Sequence, residues 1–222
     1  MKSVVCATLL AISMAGSASA LVVNGNFDVT TGNVPGTGLN NGNTLAGMIG
    51  QTGRNSWDRF AQLEGWTTTS GSGIEVQTNK TLGAIDAHSG EFYIELDSNN
   101  NSSMTQTLNL RPGQYQLTFF YAPRRKNDVG TNGIAWDVAG VTGDITGPSN
   151  AAPFKTWTEV NQTFFIGTHA TNTLTFSAIG TSDSLGGFID SVSIAAVPVP
   201  ASILGLGFAI AGLGALGRRK RA

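Results

Sequence analysis

Between Leu21 and Ala196 apolar and polar residues alternate in short runs, separated by clusters of Gly, Asn and Asp. That is the period-two pattern of half-buried β-strands. In the run from Glu91 to Asp97 the alternation puts Phe92, Ile94 and Leu96 on an inward face and Glu91, Tyr93 and Glu95 on the outward one. From Gln114 to Tyr121 it puts Tyr115, Leu117, Phe119 and Tyr121 together. Met104 to Leu110, Thr171 to Ala178 (Leu174 and Phe176 inward) and Phe188 to Ile194 read as further strands, with Arg111-Pro112-Gly113-Gln114 as a tight turn. No stretch of this body keeps a helical period, and the glycine-rich run from Gly32 to Gly50 reads as loop. Many short strands without a repeat period predict an all-β fold, an antiparallel β-sandwich of jelly-roll type.

The two ends break this pattern. Met1-Lys2, the apolar stretch from Val4 to Ala15 and the small residues Ala18-Ser19-Ala20 have the layout of a secretory signal peptide, cut by signal peptidase after Ala20. The single cysteine, Cys6, falls inside that segment, so the exported body (21–196) has neither a disulfide nor a thiolate site. At the other end the chain is apolar from Ile203 to Gly217 and closes on Arg218, Arg219, Lys220 and Arg221. Counted from Val197, the segment is just long enough to cross a thin bilayer as one transmembrane helix, with the cationic end held in the cytoplasm. The division is therefore 1–20, 21–196 and 197–222.

Charge narrows the function classes. Five of the 13 Lys and Arg lie in the two terminal segments, which leaves eight cations against all 14 acids in the body. A net negative body has the wrong sign for general nucleic-acid binding.

Val197-Pro198-Val199-Pro200-Ala201-Ser202, the apolar run and the basic cluster resemble, in that order, the PEP-CTERM sorting signal in its variant beginning V-P-L-P-A; Val199 stands where the commoner form has Glu. The resemblance implies transient anchoring in the inner membrane of a Gram-negative bacterium. It also implies cutting near Pro198 and Pro200 by an exosortase-type transpeptidase, with delivery to the cell surface or extracellular matrix. Within the body, Asn24-Gly25-Asn26-Phe27-Asp28, Gly65-Trp66, His88-Ser89-Gly90 and Gly187-Phe188-Ile189-Asp190-Ser191-Val192 resemble, in the same order, the galactose-binding-like jelly rolls of surface proteins in this sorting class. That resemblance implies a structural Ca²⁺ shared by Asp28 and Asp190; the alternative is that these carboxylates cap turns.

Sugar rings stack their C–H patches on aromatic side chains, and their hydroxyls pair with amides, carboxylates and guanidinium groups. On that basis Glu91, Tyr93, Glu95, Tyr121, Arg124 and Trp136 are the candidate ligand residues, with Arg125, Trp57 and Trp157 near them. A structural Glu95–Arg124 bridge and tryptophans that cover core ends are the alternatives. Asp97-Ser98-Asn99-Asn100-Asn101 begins like an EF-hand loop but has Ser102 at the glycine position and Leu108 at the glutamate position, so it reads as a polar hairpin loop. There is no G-x-S-x-G word. His88 and His169 are the only histidines, and Glu91 and Glu95 on one strand would stand about 13 Å apart, too far for a glycosidase pair. The expectation is a non-enzymatic surface or matrix protein that binds exopolysaccharide. A structural biofilm protein with no specific ligand is the alternative, and a secreted polysaccharide hydrolase a third.

Overall fold

A computed structural model describes residues 21–31 and 36–198. The expected signal peptide, 1–20, and the expected sorting tail from Val199 onward lie outside the described residues. The described chain forms twelve strands: β1 Trp57–Phe60, β2 Gln62–Leu63, β3 Trp66–Ser70, β4 Ile74–Thr78, β5 Phe92–Glu95, β6 Ser103–Leu110, β7 Gly113–Ala122, β8 Gly133–Val138, β9 Val141–Ile145, β10 Thr158–Ile166, β11 Ala170–Ile179 and β12 Phe188–Ala196. They build two six-stranded sheets, one ordered β1-β4-β5-β12-β7-β10 and the other β2-β3-β6-β11-β8-β9. Each sheet is antiparallel throughout. The all-β sandwich read from the alternation is the fold. The loop reading of Gly32 to Gly50 is corrected by one helical turn, Leu45–Met48, whose Thr44 hydroxyl accepts the Gly47 N–H; Leu45 and Met48 point into the core.

The inward faces match the pattern. Phe92, Ile94 and Leu96 join Tyr115, Leu117, Phe119, Tyr121, Leu174 and Phe176 in one core between the sheets. At one end of it Trp66 lies between Phe27 (ring centroids 5.9 Å apart) and Phe176 (6.0 Å), and its indole N–H donates to the Asn24 carbonyl. The first and second sequence words thereby lock the N-terminal segment onto the sandwich. Asp58, fully buried, does the same for the loop before β1: its carboxylate accepts the backbone N–H groups of Asn40, Asn41 and Asn43. A carboxylate with three amide donors is one of the few ways to bury that charge without a cation.

Of the expected sorting motif, Val197 donates its N–H to the Gln114 carbonyl, and Pro198 is exposed.

Candidate functional site

The outward face of the β1-β4-β5-β12-β7-β10 sheet holds nearly all of the chemistry, and loops divide it into a covered half and an open half. Over β4, β5 and the start of β12 lie Ala84, Ile85, Ala87 and Trp157, which pack with Tyr93, Ala122 and Phe188 into a second small core. Tyr93 makes edge contacts with Phe188 at 4.9 Å and Trp157 at 6.0 Å, and the Trp157 indole donates to the Asp86 carbonyl.

This cover corrects the expected exposure of several candidate ligand residues. Tyr93 and Glu95 do point outward from the sheet, yet they are completely buried beneath the loops. Tyr121 belongs to the main core, and its hydroxyl donates to the Asn132 carbonyl. Trp136 is also in that core, edge-on to Phe119 at 5.2 Å. Its ring lies so close over Gly143 of the neighbouring strand that a Cβ there would come within 2.3 Å of it. Glu91 is half-buried and ties two loops, accepting the Gly50 N–H and the Asn79 amide. Arg124 bonds Glu95 through one guanidinium nitrogen and packs over the Phe188 ring, so the Glu95–Arg124 bridge is the arrangement observed.

Beneath the cover, Glu75 and Glu95 stand directly opposite each other on β4 and β5. The Gln77 amide donates to both carboxyls, and the Ser98 hydroxyl donates to Glu75. Burial, and for Glu95 the neighbouring Glu75, pushes both carboxyls above the usual carboxylate range, against the pull of Arg124. Two carboxyls face one guanidinium in a dry site, so the pair titrates as a unit.

Three sequence words meet at the edge of this cover. Asp28 accepts the backbone N–H groups of Glu91 and Phe92 at 2.9 and 3.1 Å. Asp190 accepts those of His88 and Ser89 at 2.7 and 3.1 Å, and its other oxygen accepts the Ser191 N–H. A bulge in β12 between Asp190 and Ser193 turns Ser191 toward the imidazole of His88, 2.8 Å away. Gly90, at φ +72°, passes so close that a Cβ would meet an Asp28 oxygen at 1.6 Å; only glycine fits the word His88-Ser89-Gly90.

Does this pair fit calcium? The ion takes about six to eight oxygen ligands. Here one oxygen of each carboxylate already accepts two amide protons, and the remaining oxygens accept the Asn26 amide and the Ser191 N–H. Among the described residues no group of three or more His, Cys, Asp or Glu is placed to hold a metal. These amide donors take three of the roughly four lone-pair sites on each carboxylate, which is the arrangement of a turn cap.

Burial pushes Asp190 up to about 7, with the amide bonds opposing and Asp28 adding a smaller upward push. A carboxyl raised from 3.8 contributes stability that is complete below about pH 4 and is lost as pH rises through about 7. Thermal midpoints should therefore fall between about pH 4 and 7, and Asp190→Asn should flatten part of that slope. A chelator should leave the midpoint unchanged at every pH; a midpoint that drops on chelation would restore the metal.

The open half is formed by β7, β10 and the end of β12. Gln114, Gln116, Thr118 and Phe120 alternate along β7 opposite Phe165, Thr163, Asn161 and Glu159 of β10. Gln116 and Thr118 donate to the Asn161 side-chain oxygen at 2.8 and 2.6 Å, and the Asn161 amide donates to Glu159 at 2.9 Å. Phe165 is 72% exposed, and the His88 ring stacks on Phe120 with centroids 3.5 Å apart. Desolvation there pushes the His88 pKa below its ordinary value, with Glu159 opposing, so the ring is neutral near pH 7. None of Gln116, Asn161, Glu159 and Phe165 stood among the sequence candidates. The signal was their alternation in a second strand, Glu159-x-Asn161-x-Thr163-x-Phe165, legible only once β10 is known to lie beside β7.

An antiparallel two-sheet β-sandwich, with one sheet face left as an open polar strip, is the class of protein defined by this geometry. No protein-family model matches the chain, and no curated protein matches it. Among solved structures it is similar to the TmCBM61 carbohydrate-binding module in complex with β-1,4-galactotriose (16% identity, 81% of this chain and 99% of that one, TM-score 0.48). It is also similar to a family 35 carbohydrate-binding module from Clostridium thermocellum (20% identity, 58% and 92%, TM-score 0.40). A third likeness is to the enzymatically active domain of tailspike protein 4 of bacteriophage CBA120 (12% identity, 80% and 21%, TM-score 0.43). Likenesses this distant assign neither ligand nor activity to this chain.

Proposed function

We propose that this chain is an exported surface or matrix protein that binds extracellular polysaccharide without catalysis, through the open strip of β7 and β10. The observation that carries the reading is the row of half-buried Gln116 and Thr118 and exposed Asn161 and Glu159, flanked by the Phe165 and His88 rings. Planar amides and a carboxylate in a fixed row match vicinal sugar hydroxyls, and exposed rings match the C–H faces of the same sugars. The cross-strand carboxyls, Glu75 and Glu95, are buried and committed to Gln77, Ser98 and Arg124, which favours binding over turnover. Export, transient inner-membrane anchoring and release near Pro198 and Pro200 by an exosortase rest on the terminal sequence signals.

Affinity electrophoresis of the full chain in gels containing the producing organism's exopolysaccharide tests the binding site. Retardation is expected. Asn161→Ala, an exposed change with little effect on the thermal midpoint, should weaken it at least about tenfold, the size of one or two hydrogen bonds to a ligand. Unchanged retardation in that variant would move the site off the strip, and no retardation in the parent would end the reading.

A further inference from the structure

A pocket of about 390 Å³ opens where the covered half of the sheet ends, lined by Arg124, Arg125, Lys126, Lys155, Phe154 and Leu82 among others. Its volume lies within the range of small-molecule sites, roughly 300–1,000 Å³. The body of the chain has only eight cations against fourteen acids, and four of the eight stand around this one opening. Gathering like charges costs free energy, since repulsion in a concave, partly desolvated site is poorly screened. Arg124 is neutralised from below by Glu95. Arg125 and Lys126 are exposed, and among the described residues no carboxylate lies within ion-pair distance of either.

The cations are held on a prepared frame. The buried Asn132 side chain accepts the Arg125 backbone N–H and donates to the carbonyls of Arg125, Asp128 and Gly147. The Lys155 N–H bonds the Pro123 carbonyl, joining the second cationic loop to the first. Phe154 adds a ring to the wall, with the Lys155 ammonium 5.6 Å from its centroid, and Leu82 supplies an exposed apolar side chain. A guanidinium fork and ammonium groups beside a ring meet both halves of an acidic sugar, its anionic group and its C–H face.

We infer that this pocket is a subsite for an anionic sugar unit, one bearing a carboxylate or a sulfate ester, and that the polysaccharide bound by the protein is acidic. The inference rests on the polysaccharide-binding reading and adds the class of ligand.

The full chain and its Arg125→Glu/Lys126→Glu variant are run in affinity gels containing polygalacturonate, dextran sulfate or neutral dextran. The parent should be retarded by at least one of the two acidic polymers and not by dextran. The larger effect of the two identifies carboxylate or sulfate as the group recognised. The double variant, whose changes are exposed and should leave the thermal midpoint in place, should bind at least about tenfold more weakly, and Arg125→Gln/Lys126→Gln should lie between. If the charge-reversed chain is retarded like the parent while Asn161→Ala is not, the pocket assignment falls and polysaccharide binding stands. If none of the gels retards the parent, the anionic-sugar assignment falls. Competition by free galacturonate is expected; equal competition by inorganic phosphate at the same concentration would reduce the pocket to a general anion site and overturn the sugar assignment.

Discussion

Trp66→Ala should destabilise the protein by about 3–5 kcal/mol, the usual range for truncating a buried aromatic. Trp66 is 1% exposed, and its indole contacts Phe27 from the N-terminal word and Phe176 from β11 while bonding the Asn24 carbonyl. Removing it takes away the ring that fastens the N-terminal segment to the sandwich and leaves a cavity between Phe27 and Phe176. For a domain of this size each kcal/mol is worth about 2–4 °C, so the midpoint should fall by about 10 °C. Trp66→Phe retains most of the packing and loses the indole hydrogen bond, for about 1 kcal/mol. Urea titration of both variants checks the pair of values. A loss below about 1 kcal/mol for the alanine variant would mean that the N-terminal segment does not depend on this contact.

Arg124→Met should be the second large effect, and it should depend on pH. The substitution retains much of the volume but removes the cation from above Glu95, which stands buried opposite Glu75. Breaking a buried ion pair by deleting one partner costs about 3–5 kcal/mol when the other charge is left behind. Here the charge can be relieved by protonation, because burial already pushes both carboxyls up and losing Arg124 pushes them further. Groups raised in the folded state contribute stability that is present at low pH and lost as pH rises through the folded value. The variant should therefore approach the parent as pH falls and lie furthest below it at the alkaline end of the range. Equal destabilisation at both pH values would show that Arg124 acts through packing alone.

How much of the site was legible in the chain differs from residue to residue. The alternation in Phe92 to Leu96 and in Tyr115 to Tyr121 correctly told which residues share the inner face. It also told that Tyr93 and Glu95 point the other way. What it did not tell is that residues after β4 fold back across that face, so the outward residues became a second core instead of a binding surface. The words around Asp28, His88 and Asp190 were recognisable as words. Their meeting, with two carboxylates accepting four amide protons of one loop, appears only when segments more than 60 residues apart are brought together.

By itself, the sequence determined the all-β class, the residues that face inward, the absence of disulfides in the body and the deficit of cations, because these follow from side-chain period and composition. Tertiary structure alone decided which outward faces remain open, that Asn161 stands against Gln116 and Thr118, and that Arg124, Arg125, Lys126 and Lys155 surround one pocket. Period two fixes the side of a strand on which a residue lies. The neighbour across the sheet and the loop above it depend on contacts far apart in the chain, and no local pattern encodes them.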